Sequence, residues 1–344
     1  MSNSIKIGII GCGYWGPNLL RNFAENERAE LVWMCDVDER RLQNLGRRYP
    51  SVKTTTNPQS LFDDSALDAV VIATPVDTHY ELAKAALESG KHVFVEKPFT
   101  SNAREAEELN RIAAENNLNI LVDHVFLYTG AVRKIKDLIE SGELGNLLYF
   151  DSTRINLGLF QRDINVVWDL APHDFSVMDY LMADKKPVSI SAIGSSHIAP
   201  GIENIAYVML KFEDEFIAHF HFNWLAPVKI RRTLIAGSKK MIVYDDNEPS
   251  EKIRIYDSGV KAQQIKSEVD REAAYQTLVS YRTGDVSIPK LDNTEALKYV
   301  CQEFINSIVE KRQPLTDGAA GLRVVRLLEA AQTSIKNNGV SVKI

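Results

Sequence analysis

The strongest constraint on the fold is a glycine-rich loop that joins a short apolar run to a helical stretch. Residues 5–10, IKIGII, are followed by Gly11-Cys12-Gly13-Tyr14-Trp15-Gly16, and a helix-like segment at 18–25 comes next. In this setting the first glycine permits a tight turn, the second lets a pyrophosphate approach the backbone, and the third lets helix and strand pack closely. The N-terminus of the helix would face the phosphates. The loop therefore predicts a dinucleotide-binding unit whose residues 11–16 contact the cofactor.

An acidic residue stands where such a unit needs one. Asp36 ends the next apolar run, 31–35, twenty residues after Gly16. Its carboxylate would accept hydrogen bonds from both hydroxyls of the adenosine ribose and would repel a 2′-phosphate, so NAD is favoured over NADP. Arg40 and Arg41 lie nearby and would soften that preference, and Arg40 is a candidate cofactor contact. NADP therefore stays an alternative.

Apolar and helical segments continue to alternate through the first third of the chain. Further strands are predicted at 31–35, 69–73, 92–95 and 120–122, and helices at 38–48, 80–89 and 102–116. Continuous apolar strands separated by helices indicate a parallel sheet covered on both faces. We therefore expect an α/β fold that opens with a Rossmann dinucleotide-binding domain over residues 1–124. Such sheets bind ligands outside the carboxyl ends of their strands.

After about residue 124 the pattern changes to one helix and then closely spaced short strands. The helix is predicted at 130–141 and the strands at 147–154, 188–193, 206–212, 216–222, 233–236 and 241–244. Tight polar turns between them, such as Glu213-Asp214-Glu215, favour a mainly antiparallel sheet. Helices at 294–310 and 317–337 close the chain, and the polar stretch 245–270 is predicted to be a mobile loop. Residues 125–344 are therefore expected to form an α+β domain, with a large, mainly antiparallel open sheet, for substrate binding and oligomerisation.

Composition narrows the class of protein. The chain has 344 residues, which favours two domains, and its 45% hydrophobic and 25% charged content is typical of soluble globular proteins. The net charge of −6 comes without a Lys/Arg cluster, so nucleic acid is not expected as a partner. Cys12, Cys35 and Cys301 have no metal-ligand spacing, and no run suits a signal peptide or a membrane span. These features predict a cytoplasmic enzyme without metal or membrane contact.

The apolar run 92–95 stops abruptly at Glu96-Lys97-Pro98. Lys97 would lie at the carboxyl edge of the sheet, where the nicotinamide end of a dinucleotide is expected. At this point the chain resembles the glucose–fructose oxidoreductase/inositol dehydrogenase/MocA family. The resemblance covers essentially the whole chain and is carried by residues 11–16, Ala73-Thr74-Pro75 through His79, Glu96-Lys97-Pro98 and Trp168-Asp169-Leu170-Ala171-Pro172-His173.

The resemblance implies oxidation of a sugar hydroxyl with NAD. Lys97 would hydrogen-bond the substrate hydroxyl and the nicotinamide ribose, His173 would be the general base, and Asp169 would position the sugar and the imidazole. The Lys97–Pro98 bond is often cis in the family. The further cofactor contacts that the family implies are Ala73, Thr74, Pro75, His79, Glu96, Lys97 and Pro98.

The chemistry of His173 agrees with that role. Alcohol oxidation releases a proton, and imidazole can take it near neutral pH. Pro172 suits the first turn of a helix whose buried side would carry Phe175, Met178, Leu181 and Met182. His173 would then stand at the amino end of that helix, where the dipole disfavours imidazolium.

The region that resembles the sugar site holds several further candidates. The predicted substrate contacts are Lys97, Tyr128, Arg154, Asn156, Trp168, Asp169 and His173. Arg154 or Arg162 would pair with a sugar uronate or a nucleotide phosphate. Many family members have an Asn or Arg just after the fifth strand, in a stretch ending Arg-Phe, whereas this chain has Phe126-Leu127-Tyr128. The contacts known for simple polyols therefore do not carry over directly.

Three features leave alternatives open. His219 and His221 form a His-x-His pair, for which an exposed or interface sheet face is a better interpretation than a metal site. Asp123 and His124 follow the fifth strand and would border either the cofactor or the hinge between domains. Apolar and polar residues alternate over 218–224, and members of the family commonly pair through open sheet faces, so a homodimer or homotetramer is expected.

The resemblance favours members of nucleotide-sugar pathways, which commonly oxidise the hydroxyl at carbon 3 of a nucleotide-linked sugar to a keto-sugar. Three other functions remain open. One is a dehydrogenase of a free polyol or aldose such as inositol or glucose, and another is redox-neutral glycoside cleavage assisted by NAD. The third is a non-enzymatic regulator that senses NAD, which would be expected to lack Lys97, Asp169 and His173.

Overall fold

The computed structural model of the chain describes residues 4–158, 160, 164–262 and 279–344. These residues divide into two compact units. The first unit takes in the chain up to Thr129 together with Phe175–Asp179 and Asn293–Glu329, and the second takes in Gly130–Asp174, Tyr180–Asp292 and Ala330–Ile344. Each unit is built around one sheet.

The sheet of the first unit has six described strands, and all of their pairings are parallel. The strands are β1 Ile5–Ile10, β2 Ala29–Cys35, β3 Lys53–Thr55, β4 Ala69–Ile72, β5 His92–Val95 and β6 Ile120–Val122. Their order is β3-β2-β1-β4-β5-β6, so the order reverses between β1 and β4. Ligands of doubly wound sheets bind at the carboxyl ends of the strands beside such a reversal. The α/β prediction is confirmed, and β3 is an addition to the five strands predicted.

Helices connect these strands and continue into the later part of the chain. They are α1 Gly16–Ala24, α2 Glu39–Gly46, α3 Gln59–Phe62, α4 His79–Glu88, α5 Ala103–Glu115, α6 Gly130–Glu140, α7 Val166–Leu181, α8 Ala296–Val309 and α9 Gly318–Lys336. Short 3-10 turns occur at Val76–Thr78 and Val125–Tyr128. Among the described residues, no helix is both long and apolar enough to cross a lipid bilayer.

An aromatic cluster forms part of the core of the first unit. Phe23, Phe94 and Phe304 are fully buried, and their ring centroids lie 5.7–6.3 Å apart in edge-to-face arrangements. Edge-to-face packing of this kind adds about 0.5–1.5 kcal/mol per pair to the area that is buried. Because these rings come from α1, β5 and α8, the cluster explains why residues 293–329 belong to the first unit.

The sheet of the second unit has nine strands among the described residues. Its order is β14-β13-β12-β11-β7-β10-β9-β8-β15, and its described pairings are antiparallel except that β10 pairs β7 in parallel. The strands are β7 Leu147–Leu157, β8 Pro187–Ser195, β9 Ile205–Phe212, β10 Ile217–Asn223, β11 Leu225–Gly237, β12 Met241–Asp245, β13 Ile253–Ala262, β14 Val279–Ser287 and β15 Val342–Lys343. The predicted mainly antiparallel sheet is confirmed.

One face of this sheet is the core of the second unit. Ala218, Phe220 and Phe222 of β10 are fully buried, whereas His219 and His221 between them are partly exposed. This period of two matches the alternation in the sequence, since successive side chains of a strand point to opposite faces. The face that carries the two histidines also carries Tyr207, whose ring stacks on that of His221 at 4.3 Å.

The predicted mobile loop at 245–270 is wrong over part of its length. Residues Ile253–Ala262 form β13, and Ile253 and Ile255 are buried on one side of it. The strand escaped prediction because charged and polar residues fill the alternate positions, so its mean hydropathy is low. Residues 263–270 lie outside the part of the chain that the structure describes. The predicted domain boundary after residue 124 stays a prediction.

Candidate active site

The glycine loop after β1 has the shape of a phosphate cradle. Gly11 has a φ of +97°, and a Cβ there would lie 2.5 Å from the carbonyl oxygen of Ala73. A Cβ on Gly16, where α1 begins, would lie 2.2 Å from the carbonyl oxygen of Gly11. At Gly13 the nearest heavy atom would be Arg41 Nη1 at 3.4 Å. The first and third glycines are therefore required by the protein's own packing, while the second leaves room for a ligand, as a dinucleotide pyrophosphate requires.

Asp36 lies at the carboxyl end of β2 and is 6% exposed. Its Oδ2 accepts a hydrogen bond from the Cys12 amide at 2.6 Å, and its Oδ1 accepts one from the Asp38 amide at 2.8 Å. Arg41 Nη1 stands 3.5 Å from Oδ2. The carboxylate therefore fixes the glycine loop as well as the turn after β2, and it lies where the adenosine ribose of a bound dinucleotide is expected.

The side chains of other predicted cofactor contacts differ in how exposed they are to solvent. Cys12 is buried, and its burial raises the pKa of the thiol to about 12. Tyr14 is 85% exposed, and its ring meets that of Trp15 edge to face at 5.5 Å. The Arg40 side chain is exposed, and its amide donates to Asp38 Oδ1 at 2.9 Å. It is thus Arg41, rather than Arg40, that pairs with Asp36 in this structure.

His79 links two of the predicted cofactor loops. It begins α4 and is 1% exposed, with its Nε2 2.8 Å from the carbonyl oxygen of Thr74 and its Nδ1 2.9 Å from that of Pro98. Burial lowers the pKa of this histidine, against the effect of those carbonyls. Thr78 Oγ1 adds a hydrogen bond to Thr74 Oγ1 at 2.7 Å. Because both ring nitrogens face backbone carbonyls, His79 positions the loop Ala73-Thr74-Pro75 against the segment Glu96-Lys97-Pro98.

The Glu96-Lys97-Pro98 segment follows β5 as predicted, and the Lys97–Pro98 peptide bond is cis. Lys97 is partly exposed, whereas Glu96 is buried, as is Asp123, which follows β6. Burial raises the pKa of Glu96 and of Asp123, and Lys97 opposes that rise in both. The charge of the lysine thus acts on a buried pair of carboxyl groups at neighbouring strand ends.

The helix that carries Asp169 and His173 begins earlier than predicted. It starts at Val166, and Asn165 Oδ1 accepts hydrogen bonds from the amides of Val167 and Trp168, both at 3.1 Å. Pro172 therefore lies inside the helix, and His173 is seven residues beyond its first residue, Val166. The prediction that His173 stands at the helix N-terminus is wrong, and the argument from the helix dipole no longer applies, because the dipole acts only within the end turns.

Asp169 is held by an aromatic donor. Trp224, between β10 and β11, is 1% exposed, and its indole Nε1 donates to Asp169 Oδ2 at 3.1 Å. His173 follows Asp169 by four residues along α7, and residues at that spacing lie on one face of a helix. The two side chains predicted to handle substrate are therefore presented together, and Trp224 fixes one of them. The predicted buried side of the helix, with Phe175, Met178, Leu181 and Met182, is confirmed.

The other predicted substrate contacts are less accessible. Arg154 is 5% exposed, and its Nε pairs with Asp174 Oδ2 at 2.5 Å, while Ser152 Oγ donates to Asp174 Oδ1 at 2.7 Å. Tyr128 is 5% exposed, with its hydroxyl 3.1 Å from Thr316 Oγ1. Asn156 and Trp168 are partly exposed. Arg162 lies outside the described residues.

Some residues of the site escaped the sequence analysis. Nothing in the sequence pointed to Trp224 as the partner of Asp169, since the two are separated by 55 positions. Asp123 is predicted to border either the cofactor or the hinge, and its neighbour Glu96 is not part of that prediction, although the parallel pairing of Val95 with Val122 brings Glu96 and Asp123 to neighbouring positions. Among the described residues there is no group of three or more His, Cys, Asp or Glu side chains that could hold a metal.

Known proteins resemble the chain over most of its length. It is 30% identical over 266 residues to the uncharacterized oxidoreductase YdgJ of Escherichia coli, an alignment that covers 73% of this chain and 74% of that protein. It is 25% identical to UDP-N-acetylglucosamine 3-dehydrogenase of Acidithiobacillus ferrooxidans, covering 93% and 94% of the two chains. It is 24% identical to scyllo-inositol 2-dehydrogenase (NADP(+)) IolW of Bacillus subtilis, covering 97% and 94%.

Solved structures share the fold at lower identity. An inositol dehydrogenase homologue from Azotobacter vinelandii, complexed with NADH and myo-inositol, superposes with a TM-score of 0.80 at 19% identity and covers 100% and 98% of the two chains. The family model described as an oxidoreductase family with an NAD-binding Rossmann fold matches residues 5–124, and the GFO/IDH/MocA C-terminal domain matches residues 132–243. The chain belongs to the Gfo/Idh/MocA family of NAD-binding oxidoreductases.

Proposed function

We propose that this protein is an NAD-dependent dehydrogenase that oxidises a ring hydroxyl, at carbon 3, of a nucleotide-linked sugar to a keto-sugar. The observation that carries the proposal is the pair Asp169 and His173 on one face of α7, with Asp169 held by the Trp224 indole at 3.1 Å. A carboxylate fixed beside an imidazole is suited to positioning a hydroxyl group and removing its proton. The proposal extends the family assignment from oxidoreductase to a substrate class.

The first unit would bind and orient the cofactor. When bound, NAD would supply the hydride acceptor. Asp36 would accept hydrogen bonds from the adenosine ribose, and the loop around Gly13 would receive the pyrophosphate. His79 would keep the Thr74 and Pro98 backbones in place at the nicotinamide end, because its ring nitrogens lie 2.8 and 2.9 Å from their carbonyl oxygens.

The reacting hydroxyl would be handled by three side chains. The Lys97 ammonium would donate to the substrate oxygen and to the nicotinamide ribose, which places the hydroxyl for reaction. His173 would take the hydroxyl proton as the carbon is oxidised, and Asp169 would orient both the sugar and the imidazole. Positioned general bases of this kind contribute about 10²–10⁴-fold in rate.

The preference for a nucleotide-linked sugar is supported by one relative, UDP-N-acetylglucosamine 3-dehydrogenase of Acidithiobacillus ferrooxidans. Its alignment covers 93% of this chain. Arg154 would act as a positioning residue for α7, because its Nε pairs with Asp174, the residue next to His173. Asn156 and Trp168 remain the proposed substrate contacts beside the catalytic set. A free polyol is the second candidate, favoured by the inositol dehydrogenase relative that matches 97% of this chain.

We also propose a homodimer or homotetramer built on the exposed face of the nine-stranded sheet, in a cytoplasmic enzyme. That face carries several exposed apolar side chains, namely Tyr149, Ile193, Tyr207, Met209 and Ile217. An exposed apolar patch on a sheet is a common site of association. Light scattering at micromolar protein should give at least twice the monomer mass, and a monomer would contradict this part of the proposal.

The test of the reaction is a screen of nucleotide sugars, polyols and aldoses with NAD, read as reduced nicotinamide. On the substrate found, His173→Ala should lower kcat by about 10²–10⁴-fold and remove the acidic limb of the pH–rate profile, since oxidation needs a neutral base. Lys97→Ala should lower kcat strongly while most NAD affinity remains, because the adenosine and phosphate contacts are kept.

The matched control is His197→Ala, which removes an exposed histidine of the same unit and should leave the rate unchanged. The fall in kcat on replacing both Lys97 and His173 should be smaller than the product of the two single falls, as is found for residues that act as a unit. If both single variants turn over at the wild-type rate, the catalytic assignment is wrong. Accumulation of reduced nicotinamide separates oxidation from redox-neutral cleavage.

A further inference from the structure

Two carboxyl groups are buried side by side beneath Lys97. Because β5 and β6 pair in parallel with Val95 opposite Val122, the residues that follow, Glu96 and Asp123, leave the sheet at neighbouring positions. Glu96 is 7% exposed and Asp123 is 3% exposed, and each carboxyl group acts on the pKa of the other. Two carboxyl groups can be hydrogen-bonded to each other only when one of them carries a proton, because an ionised carboxylate is an acceptor alone.

Each carboxyl of this pair has one backbone amide that favours its ionised form and one buried oxygen without a partner in the described part of the chain. The Lys97 amide lowers the pKa of Glu96, and the Val125 amide lowers that of Asp123. Glu96 Oε1 and Asp123 Oδ1 have no hydrogen-bond partner among the described residues. Glu96 raises the pKa of Asp123 whereas Asp123 lowers that of Glu96, so a proton between them would belong to Asp123, and without it two buried acceptors would be uncompensated.

The titratable groups that interact with the pair come from several parts of the first unit. Lys97 is the nearby cation on the same loop, and it acts on both carboxyls. His124 is 1% exposed, and its pKa is lowered to about 3 by burial and by the charges of Lys97 and Arg323, so the imidazole is neutral. The buried Cys301 thiol and Tyr128 hydroxyl also feel the Asp123 charge, and burial raises the pKa of both. Lys97 is therefore the cation that a charge on this pair would balance.

We propose that Glu96 and Asp123 share one proton and act as a carboxyl pair of single negative charge that positions the Lys97 ammonium. The proposal rests on the proposed function, in which that ammonium orients the substrate hydroxyl. One charge on the pair balances one charge on the lysine, so the buried cluster is neutral as a whole. Two ionised carboxylates would leave a net charge where burial makes it costly, and two protonated ones would leave the lysine without a counter-charge.

Amide substitutions separate these charge states. In Asp123→Asn the amide nitrogen can donate to Glu96, as the protonated Asp123 carboxyl does, and the pair keeps one negative charge. In the double variant Glu96→Gln/Asp123→Asn the shape is retained and the charge is lost. In Asp123→Ala the donor is removed and Glu96 is left buried without it. The three variants therefore distinguish charge, hydrogen bonding and packing.

The first experiment measures kcat and KM against pH on the substrate of the wild-type enzyme. Asp123→Asn should retain more of kcat than Asp123→Ala, and its alkaline limb should move upward, because no second negative charge can form beside Lys97. The double variant should lose about 10–100-fold in kcat with a smaller change in KM, the scale of one lost charged hydrogen bond. If the double variant is as active as Asp123→Asn, Lys97 does not need this charge and the proposal is overturned.

The second experiment needs no substrate. Lys97 is labelled in the folded, NAD-free protein with an amine-reactive reagent, and the labelled peptide is quantified by mass spectrometry. Labelling should be faster in the double variant than in Asp123→Asn, because the side chain is no longer held. Equal labelling in the two would overturn the proposal even if turnover were found. If no substrate is oxidised by the wild type, the proposed reaction fails while this measurement still decides whether the pair positions the lysine.

Discussion

Two aspartates of the parallel sheet occupy equivalent places and have opposite surroundings. Asp36 follows β2 and Asp123 follows β6, and they are 6% and 3% exposed. Asp36 receives amide hydrogen bonds at 2.6 and 2.8 Å on its two oxygens. Asp123 has the amide of Val125 beside it and also the carboxyl group of Glu96, which raises its pKa. The same residue type at the same edge therefore has backbone donors on both oxygens at one position and a second acid beside it at the other.

The difference shows that a strand end determines where a carboxyl group lies and its neighbours determine which chemistry it can perform. Donors around Asp36 suit an ionised carboxylate that accepts hydrogen bonds from a ribose. An acid beside Asp123 favours a retained proton, since two neighbouring buried carboxyl groups cannot both be ionised without cost. In our proposals, one aspartate serves cofactor binding and the other helps to position a neighbouring lysine.

The largest expected effect is on NAD affinity at the first of these positions. Asp36→Asn should weaken NAD binding by about 10–100-fold, because an amide cannot accept from both ribose hydroxyls while keeping the Cys12 amide bonded. Asp123→Asn, the same chemical change at the other strand end, should leave NAD affinity close to that of the wild type. Titration of protein fluorescence with NAD measures both.

Asp36→Ala sharpens the same comparison for cofactor choice. NAD should bind wild-type protein more tightly than NADP. In this variant the difference in affinity between NAD and NADP should be smaller, since the group that repels a 2′-phosphate is removed. Equal affinities of the wild type for NAD and NADP, unaffected by the substitution, would show that Asp36 holds the loop and does not select the cofactor.

The second expected effect is on stability against pH. Burial raises the pKa of Glu96 from 4.5 to about 7 and raises that of Asp123 well above its usual value. The folded protein therefore retains a proton that the unfolded chain releases, and the resulting stabilisation is present below pH 4.5 and is lost as the pH rises through about 7. The double variant Glu96→Gln/Asp123→Asn should remove on the order of 1–2 kcal/mol of this dependence, because both titrating groups are then absent. Denaturant unfolding between pH 5 and about 8 measures it.

Buried histidines change stability in the opposite direction. Burial lowers the pKa of His79, His92 and His124, so their contribution is present at high pH and is lost as the pH falls through the range in which the unfolded chain takes up protons. They are common to wild type and variant, so the difference between the two curves isolates the carboxyl pair. Parallel curves for the two proteins would contradict a shared proton.

The glycine loop shows how much of the fold could be predicted from sequence. Gly11, Gly16 and Asp36 lie within one strand–turn–helix–strand unit, so local spacing fixes their geometry, and the structure bears out the predicted parallel sheet around them. The fold class of the second unit was likewise predictable, because its strands are short and closely spaced. Features that depend on residues close together in the sequence could therefore be predicted from the sequence alone.

Contacts between residues that are far apart in the sequence could not be predicted from local patterns. The Trp224–Asp169 hydrogen bond joins α7 to a strand end 55 residues away, and no local pattern encodes it. The helix start at Val166 differs from the prediction for another reason, since a proline suits a first turn, whereas Asn165 caps the helix seven residues before Pro172, about two turns earlier. A proline inside a helix costs a backbone hydrogen bond, which is why sequence patterns place it at the start.

The smallest expected effect concerns Arg41, the cation beside Asp36. Its Nη1 lies 3.5 Å from Asp36 Oδ2, and its side chain is 52% exposed. An ion pair so open to solvent contributes about 0–1 kcal/mol, whereas the amides of Cys12 and Asp38 hold the carboxylate at shorter range. Arg41→Ala should therefore change the free energy of unfolding by less than about 1 kcal/mol and leave NAD affinity nearly intact. This expectation is tested by urea unfolding and NAD titration of Arg41→Ala, with Asp36→Asn measured under the same conditions. If Arg41→Ala lost as much NAD affinity as Asp36→Asn, the arginine, and not the backbone amides, would set the position of Asp36. The difference between Asp36 and Asp123 would then be due to a neighbouring cation.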